Sequence, residues 1–347
     1  MINHSYNNGS ILKLLQVIFF TAIILYFGRT LFIPICYGLL IAIVVYPVCK
    51  WLEQRKWPRS LAIAAGLLII LILFSALVSL LVMQVDIFRK DLPELMTKIK
   101  PSLLQLQQWI ESGLGIPVLS QNEWWENAIH NFNNNAGSIA QSILSETAST
   151  LFNLFLVPVY SALFLYNRAI FVKFLAKITS SSIYERQLQF VLREVIHTYF
   201  NFIKGMIIVY LIVGALNSIG LLALGIRHAI LFGMLTAVMT IIPYIGIFIS
   251  ALLPISVAWI TKDSIWYPIG VIAVFAFVQY LEANVIFPKV VATQLKVSTW
   301  ATLVAIVAGG LLWGVSGMIL FIPFVGILKI VTDQISGWEP LNILLSR

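Results

Sequence analysis

The chain has 347 residues; 60% are hydrophobic, 10% are charged, and its 22 Lys and Arg against 14 Asp and Glu leave a net charge of +8. Ordinary globular domains hold about 45–50% apolar and about 25% charged residues, so no soluble core of this length accounts for the composition. A soluble enzyme, a disordered chain and a disulfide scaffold are excluded, and the bilayer becomes the solvent for most of the protein.

A helix needs about 20 apolar residues to cross a hydrocarbon core about 30 Å thick. Stretches poor in ionisable residues run over 14–28, 30–49, 60–85, 147–167, 205–226, 228–261, 264–281 and 297–328. The fold class expected is therefore an all-α polytopic membrane protein with about eight membrane segments. No small-x-small cleavage site follows the first run, which reads as an uncleaved span rather than a signal peptide. Only Arg29 separates the first two runs, with Pro34 just beyond, and this predicts a tight helical hairpin. Cys36 and Cys49 would lie about 20 Å apart along one helix, too far for a disulfide.

Charge sets the orientation. Residues 50–59 carry four positives and one acid, residues 168–204 six and two, and residues 85–150 four and seven. Lys and Arg collect on the cytoplasmic side, so the first two segments are expected inside and the third outside, with both termini cytoplasmic. The expected organisation is membrane helices 1–3 over 1–84, an extracytoplasmic helical arm over 85–150 and membrane helix 4 over 151–167. A cytoplasmic amphipathic linker over 168–204, a transport region with interrupted helices over 205–330 and a cytoplasmic tail over 331–347 follow.

In the arm, Phe88, Leu92, Leu95, Ile99, Leu103, Leu106 and Ile110 recur at steps of three and four, the seam of an amphipathic helix; Pro93 and Pro101 would bend it or limit where it starts. It reads either as an oligomerisation arm or gate, or as a hairpin folded on itself at the membrane surface. In the linker, Leu188, Val191, Leu192, Val195, Ile196 and Tyr199 form an apolar stripe that predicts a helix lying along the interface.

Two stretches have the wrong length. Residues 228–261 and 297–328 would make straight helices roughly 50 Å long, beyond what tilt absorbs. The first is interrupted by Pro243 and Gly246, the second by Gly309, Gly310, Gly314 and Gly317. Broken helices at membrane depth are tolerated only where they pack in protein or line a cavity. Each follows a plain span, so the sixth and eighth segments are expected to be re-entrant hairpins in an inverted repeat. The turn at Lys262-Asp263 would then be external, and Lys289 and Lys296 cytoplasmic. The alternative is a single kinked crossing by each.

No GxxxxGK[ST] loop, HExxH pair or GxSxG elbow is present, so neither an enzyme, a metal site nor a cofactor is expected. The candidate pathway residues are polar groups at membrane depth and the breaks themselves. Glu282, flanked by Gln279 and Asn284, is a costly intramembrane carboxylate and a functional candidate by default; the competing reading is an interfacial carboxylate pairing with Lys289 or capping a broken helix. Asn217 either meets a polar solute or hydrogen-bonds a neighbouring helix. Thr236, Thr240 and Ser250 flank the Pro243–Gly246 break, where freed backbone groups could bind substrate, and the glycines from Gly309 to Gly317 allow close helix approach.

Ile242-Pro243-Tyr244-Ile245-Gly246, then Glu282-Ala283-Asn284 with Pro288, then Gly309-Gly310 through Trp313-Gly314-Val315-Ser316-Gly317 to Pro323 resemble the AI-2E family of bacterial permeases. The chain departs from the family pattern at Ala292, where a Gly is usual, and at Ile255, where a second Pro is usual. The resemblance implies an inner-membrane transporter that exports the signal autoinducer-2 or, in some relatives, a sodium(lithium)/proton antiporter. It also implies a homo-oligomer, with a pentamer among the assemblies to be expected. The function expected is a secondary transporter exporting a small polar solute; the alternatives are an antiporter coupling H+ to Na+ through Glu282, and a membrane scaffold that transports nothing. Membrane lipid is an expected partner and nucleic acid is not.

Overall fold

The computed structural model describes residues 8–115, 117, 155–178, 182–243, 245–262, 264–291, 297–334 and 338–346. Among the described residues the chain is almost entirely helical, with no strand beyond an isolated antiparallel bridge between Val297 and Ser346. Five helical stretches among them are long and apolar enough to cross a bilayer, or six if one bent pair counts as a span.

In chain order the helices are α1 (Asn8–Phe27), α2 (Arg29–Gln54), α3 (Arg59–Leu114), α4 (Phe155–Tyr166), α5 (Arg168–Ile178) and α6 (Ser182–Ala223). Then come α7 (Ala229–Met239), α8 (Ile245–Thr261), α9 (Trp266–Leu281), a π-helical turn (Glu282–Ile286), α10 (Phe287–Val290), α11 (Thr299–Thr332) and α12 (Glu339–Leu345). The chain packs as two units, one built from residues 1–69, 153–205 and 291–347, the other from 70–152 and 206–290.

In the first unit, glycines set the helix spacing. A Cβ at Gly66 of α3 would lie 2.6 Å from Val45 Cγ1 of α2, and one at Gly38 of α2 would lie 2.7 Å from Tyr160 Cβ of α4. Lipid tails are as apolar as leucine, so helices associate in a membrane through such close packing rather than through hydrophobic exclusion. The N-terminal part of α6 packs Val191 and Val195 against Ile330 of α11, flanked by Ile43 and Ile327. The second unit packs α6 to α9 around Leu221, Phe232, Val257, Ala258, Val271 and Phe275. Gly220 of α6 receives Val274 of α9, and Gly270 of α9 receives Leu224 of α6, an antiparallel register.

Three expectations need correcting. α1 and α2 are separated only by Gly28, whose φ of −82° and ψ of 8° depart little from helical values, so the junction is a bend and not a tight hairpin. The stripe from Leu188 to Tyr199 is amphipathic as expected, but it belongs to the continuous helix α6, and its buried side meets protein rather than the interface. In the arm, α3 runs on to Leu114 as one helix, through Pro93 and Pro101 without a break. The return segment from 124 to 151 lies outside the described residues.

Candidate functional site

The first interrupted stretch folds back on itself. α7 and α8 put Phe232 in one core with Val257, residues that a straight helix would hold about 37 Å apart, so the chain has turned back between them. Near the tip, a Cβ at Gly246 would fall on the Met239 carbonyl, so glycine lets the two legs meet backbone to backbone. At the other end, Gly225, just after α6, lies against the Lys262 ammonium. Pro243 is half-buried at the tip, where its carbonyl accepts from the Ile245 N–H at 2.7 Å and the Gly246 N–H donates to Ile242 at 3.1 Å. Tyr244 lies outside the described residues.

The hydroxyls flanking this tip are committed to their own helices. Thr236 Oγ1 donates to the Phe232 carbonyl at 2.7 Å, Thr240 Oγ1 to Thr236 at 2.7 Å and Ser250 Oγ to Ile247 at 3.1 Å. Asn217 is different. It is 0% exposed, and its Nδ2 donates to the Val213 carbonyl at 2.9 Å on its own helix. Its Oδ1 is buried with no hydrogen-bond partner among the described residues. The interhelical hydrogen bond expected of Asn217 is therefore not made there.

Glu282 shares that condition within the same unit. Its Oε2 is buried and has no hydrogen-bond partner among the described residues, and no Lys289 ion pair forms there. Tyr210 of α6 lies close enough to feel its charge. Glu282 opens the π-helical turn, in which the Phe287 N–H donates to the Glu282 carbonyl, five residues back. Pro288 has no N–H to give, so the Ala283 carbonyl loses its helical donors at both 287 and 288. Single π turns inside helices concentrate at functional sites. Asn284 is exposed and donates to the Tyr280 carbonyl at 2.9 Å, while Gln279 is half-buried.

The second interrupted stretch, in the other unit, also reverses. α11 breaks at Gly314, where φ is 60° and ψ is −139°. A Cβ at Gly309 would fall on the Gly317 carbonyl and the reverse is equally true, while one at Gly310 would lie 2.7 Å from Met318 Cε. Residues eight apart on a straight helix are separated by about 12 Å, so these contacts require a hairpin. Trp313 and Phe321 stack edge to face with ring centroids 5.5 Å apart across it.

Sequence reasoning missed what holds this second hairpin. At its tip the Trp313 indole donates to the Leu25 carbonyl of α1 at 2.9 Å, and Ser316 is within hydrogen-bonding reach of Tyr37. At its base, α12 joins the two ends. Ser298 caps the first leg by accepting from the Ala301 N–H at 3.2 Å, and its own N–H and hydroxyl donate to Leu345 and Leu344 at 2.8 and 3.1 Å. Asn342 donates to Asp333, after the second leg, at 2.7 Å. A serine just before an apolar run was the one available signal, since it marks a helix start.

Comparison with known proteins agrees with the residue pattern. The family model described as "AI-2E family transporter" matches residues 14–337. A Bacillus subtilis (strain 168) protein named "Putative transport protein YrrI" is 26% identical over 318 residues, spanning 87% of this chain and 86% of its own. The AI-2 transport protein TqsA of Escherichia coli (strain K12) is 22% identical over 322 residues, spanning 92% and 90%.

Proposed function

The chain belongs to the AI-2E transporter family, and from that premise we propose that it is a secondary transporter of the bacterial inner membrane, exporting a small polar metabolite or signal of the autoinducer-2 type by alternating access. The observation that carries this reading is the pair of helical hairpins, one in each packing unit. Membrane carriers put substrate at interrupted helices, and irregular backbone at that depth needs protein or a cavity around it. Each hairpin enters and leaves on one face and moves against the plain spans. The similarity to TqsA supports autoinducer-2 as the first solute to try. The working assembly is a homo-oligomer.

A second reading is favoured by one observation. The unpartnered Glu282 Oε2, on a turn that also frees the Ala283 carbonyl, offers oxygen ligands to a proton or a small cation. Sodium(lithium)/proton antiport would use it directly.

One assay separates the two. Purified protein in proteoliposomes is given an imposed pH gradient, and autoinducer-2, sodium and lithium are added in turn. Collapse of the gradient by sodium or lithium, abolished in Glu282→Gln, establishes antiport. Autoinducer-2 flux that persists in Glu282→Gln supports export without that carboxylate. No flux of any solute in correctly folded protein removes transport and leaves the scaffold.

A further inference from the structure

The corner between α4 and α5 is built and fastened in a way that transport chemistry does not require. α5 leaves α4 at 65°. Asn167 makes the turn, its Nδ2 donating to the Leu163 carbonyl at 3.1 Å while its own carbonyl accepts from the Ile170 N–H at 2.8 Å. Arg168, the first residue of α5, forms an ion pair with Glu53 near the end of α2 and stacks over Tyr46 at 5.2 Å. Arg59, the first residue of α3, donates to the Leu165 carbonyl at 2.7 Å and lies over the Tyr166 ring at 5.5 Å. α5 is thus held in a set direction against the α2–α3 turn, within one packing unit.

The charges of these two segments are one-sided. Lys50, Arg55, Lys56, Lys173 and Lys177 are all exposed, and the single acid, Glu53, is taken by Arg168. Lys173 and Lys177 lie one turn apart and share a face of α5, and Ile170 and Phe174 share the adjacent face. Those two apolar residues are 64% and 61% exposed. Trp51 and Trp57 are exposed beside the turn, with Arg55 stacked 4.0 Å over Trp51.

An apolar ridge beside a lysine ridge, on a short helix turned away from the span before it, is the design of a helix lying in the membrane interface, and tryptophans gather at that depth. We propose that α5 and the α2–α3 turn form an interfacial platform that binds the headgroups of anionic phospholipids. A soluble phosphate would satisfy the lysines but leave Ile170 and Phe174 in water; a lipid meets both ridges together. The platform rests on the bilayer placement of the transport reading, and not on what is carried.

The test uses full-length protein with Cys36 and Cys49 replaced by alanine, Ile170→Cys labelled with bimane, in nanodiscs. Dibrominated phosphatidylglycerol or dibrominated phosphatidylcholine is titrated into an otherwise unbrominated bilayer. A basic residue at an anionic surface is worth roughly a fivefold preference. For Lys173 and Lys177 together, half-maximal quenching is therefore expected at a mole fraction of phosphatidylglycerol roughly twenty-fivefold below that of phosphatidylcholine. Lys173→Gln with Lys177→Gln brings the ratio towards one, while Lys173→Arg with Lys177→Arg preserves it. If the glutamine variant misfolds, raising salt from about 0.05 M to about 0.5 M on the parent protein shrinks the preference through screening. Equal quenching by both lipids, or none by either, overturns the platform. Because no solute is moved, a negative flux assay leaves this result standing, and the converse holds as well.

Discussion

Asn217 Oδ1 and Glu282 Oε2 are buried acceptors for which the described residues supply no donor. An unmet buried polar group costs about 1–3 kcal/mol, so a side chain kept for folding alone would be better replaced by an apolar one of similar shape. Asn217→Leu is therefore expected to leave the melting temperature in detergent unchanged or raised while solute flux in proteoliposomes falls. A lower melting temperature with normal flux would instead make Asn217 a packing residue. The hairpin glycines divide by mechanism. Gly314 has open space where a Cβ would go, but its φ of 60° and ψ of −139° suit glycine alone, so Gly314→Ala is expected to lower stability by about 1–3 kcal/mol through backbone strain. Gly309→Ala drives a methyl into the Gly317 carbonyl and should be more damaging, whereas Gly310→Ala meets only the flexible end of Met318 and should be tolerated. Thermal unfolding of the three variants side by side checks the order.

The elements show which parts of the fold a sequence can disclose. Both breaks were legible, because Pro243 with Gly246 and the glycines from Gly309 to Gly317 interrupt stretches too long to be straight single spans. The α1–α2 junction was misread, since Arg29 and Pro34 punctuate a bend and a reversal in the same way, and only the backbone at Gly28 distinguishes them. The stripe on α6 announced an apolar face without saying what covers it. The π turn and the α12 fastening were not legible at all: the first depends on one displaced backbone hydrogen bond, the second on contacts such as Ser298 to Leu344 that join distant residues. That fastening can be tested as an element. A chain ended at residue 337 loses both the Ser298 and the Asp333 contacts to α12. At about 1 kcal/mol for each such hydrogen bond, amide exchange at 299–303 and 328–332 should accelerate roughly tenfold. The tip, still tied by Trp313 to Leu25, should keep its protection. Uniform acceleration along α11 would mean that α12 stabilises the whole hairpin rather than its base.

At the scale of the molecule, the proposed re-entrant hairpins carry a sidedness prediction that charge alone states only weakly. The first has its ends beside Gly225 and Lys262, the second beside Ser298 and Asp333. Between the two bases the chain has one apolar stretch, Trp266–Val290, of 25 residues. As a helix it is about 38 Å long, enough to cross a core about 30 Å thick once and not twice. If each hairpin re-enters as proposed, a single crossing by this stretch would put the two bases on opposite sides of the membrane. In a cysteine-free background, Lys262→Cys is expected to react with an impermeant maleimide from outside intact cells, and Lys296→Cys only after the membrane is made permeable. Reaction of both from one side would mean either that this stretch fails to cross or that one hairpin runs through the bilayer as a kinked span. With the bases so placed, Glu282, 16 residues beyond Trp266, would sit about 24 Å along the crossing and so nearer the side of Lys296. A proton or cation coupled through Glu282 would therefore exchange most readily with the cytoplasm. The corresponding outcome is protection of Glu282 from a lipid-soluble carbodiimide when sodium or lithium is added to the cytoplasmic face of inverted vesicles, with less protection when the same ion is added to the opposite face.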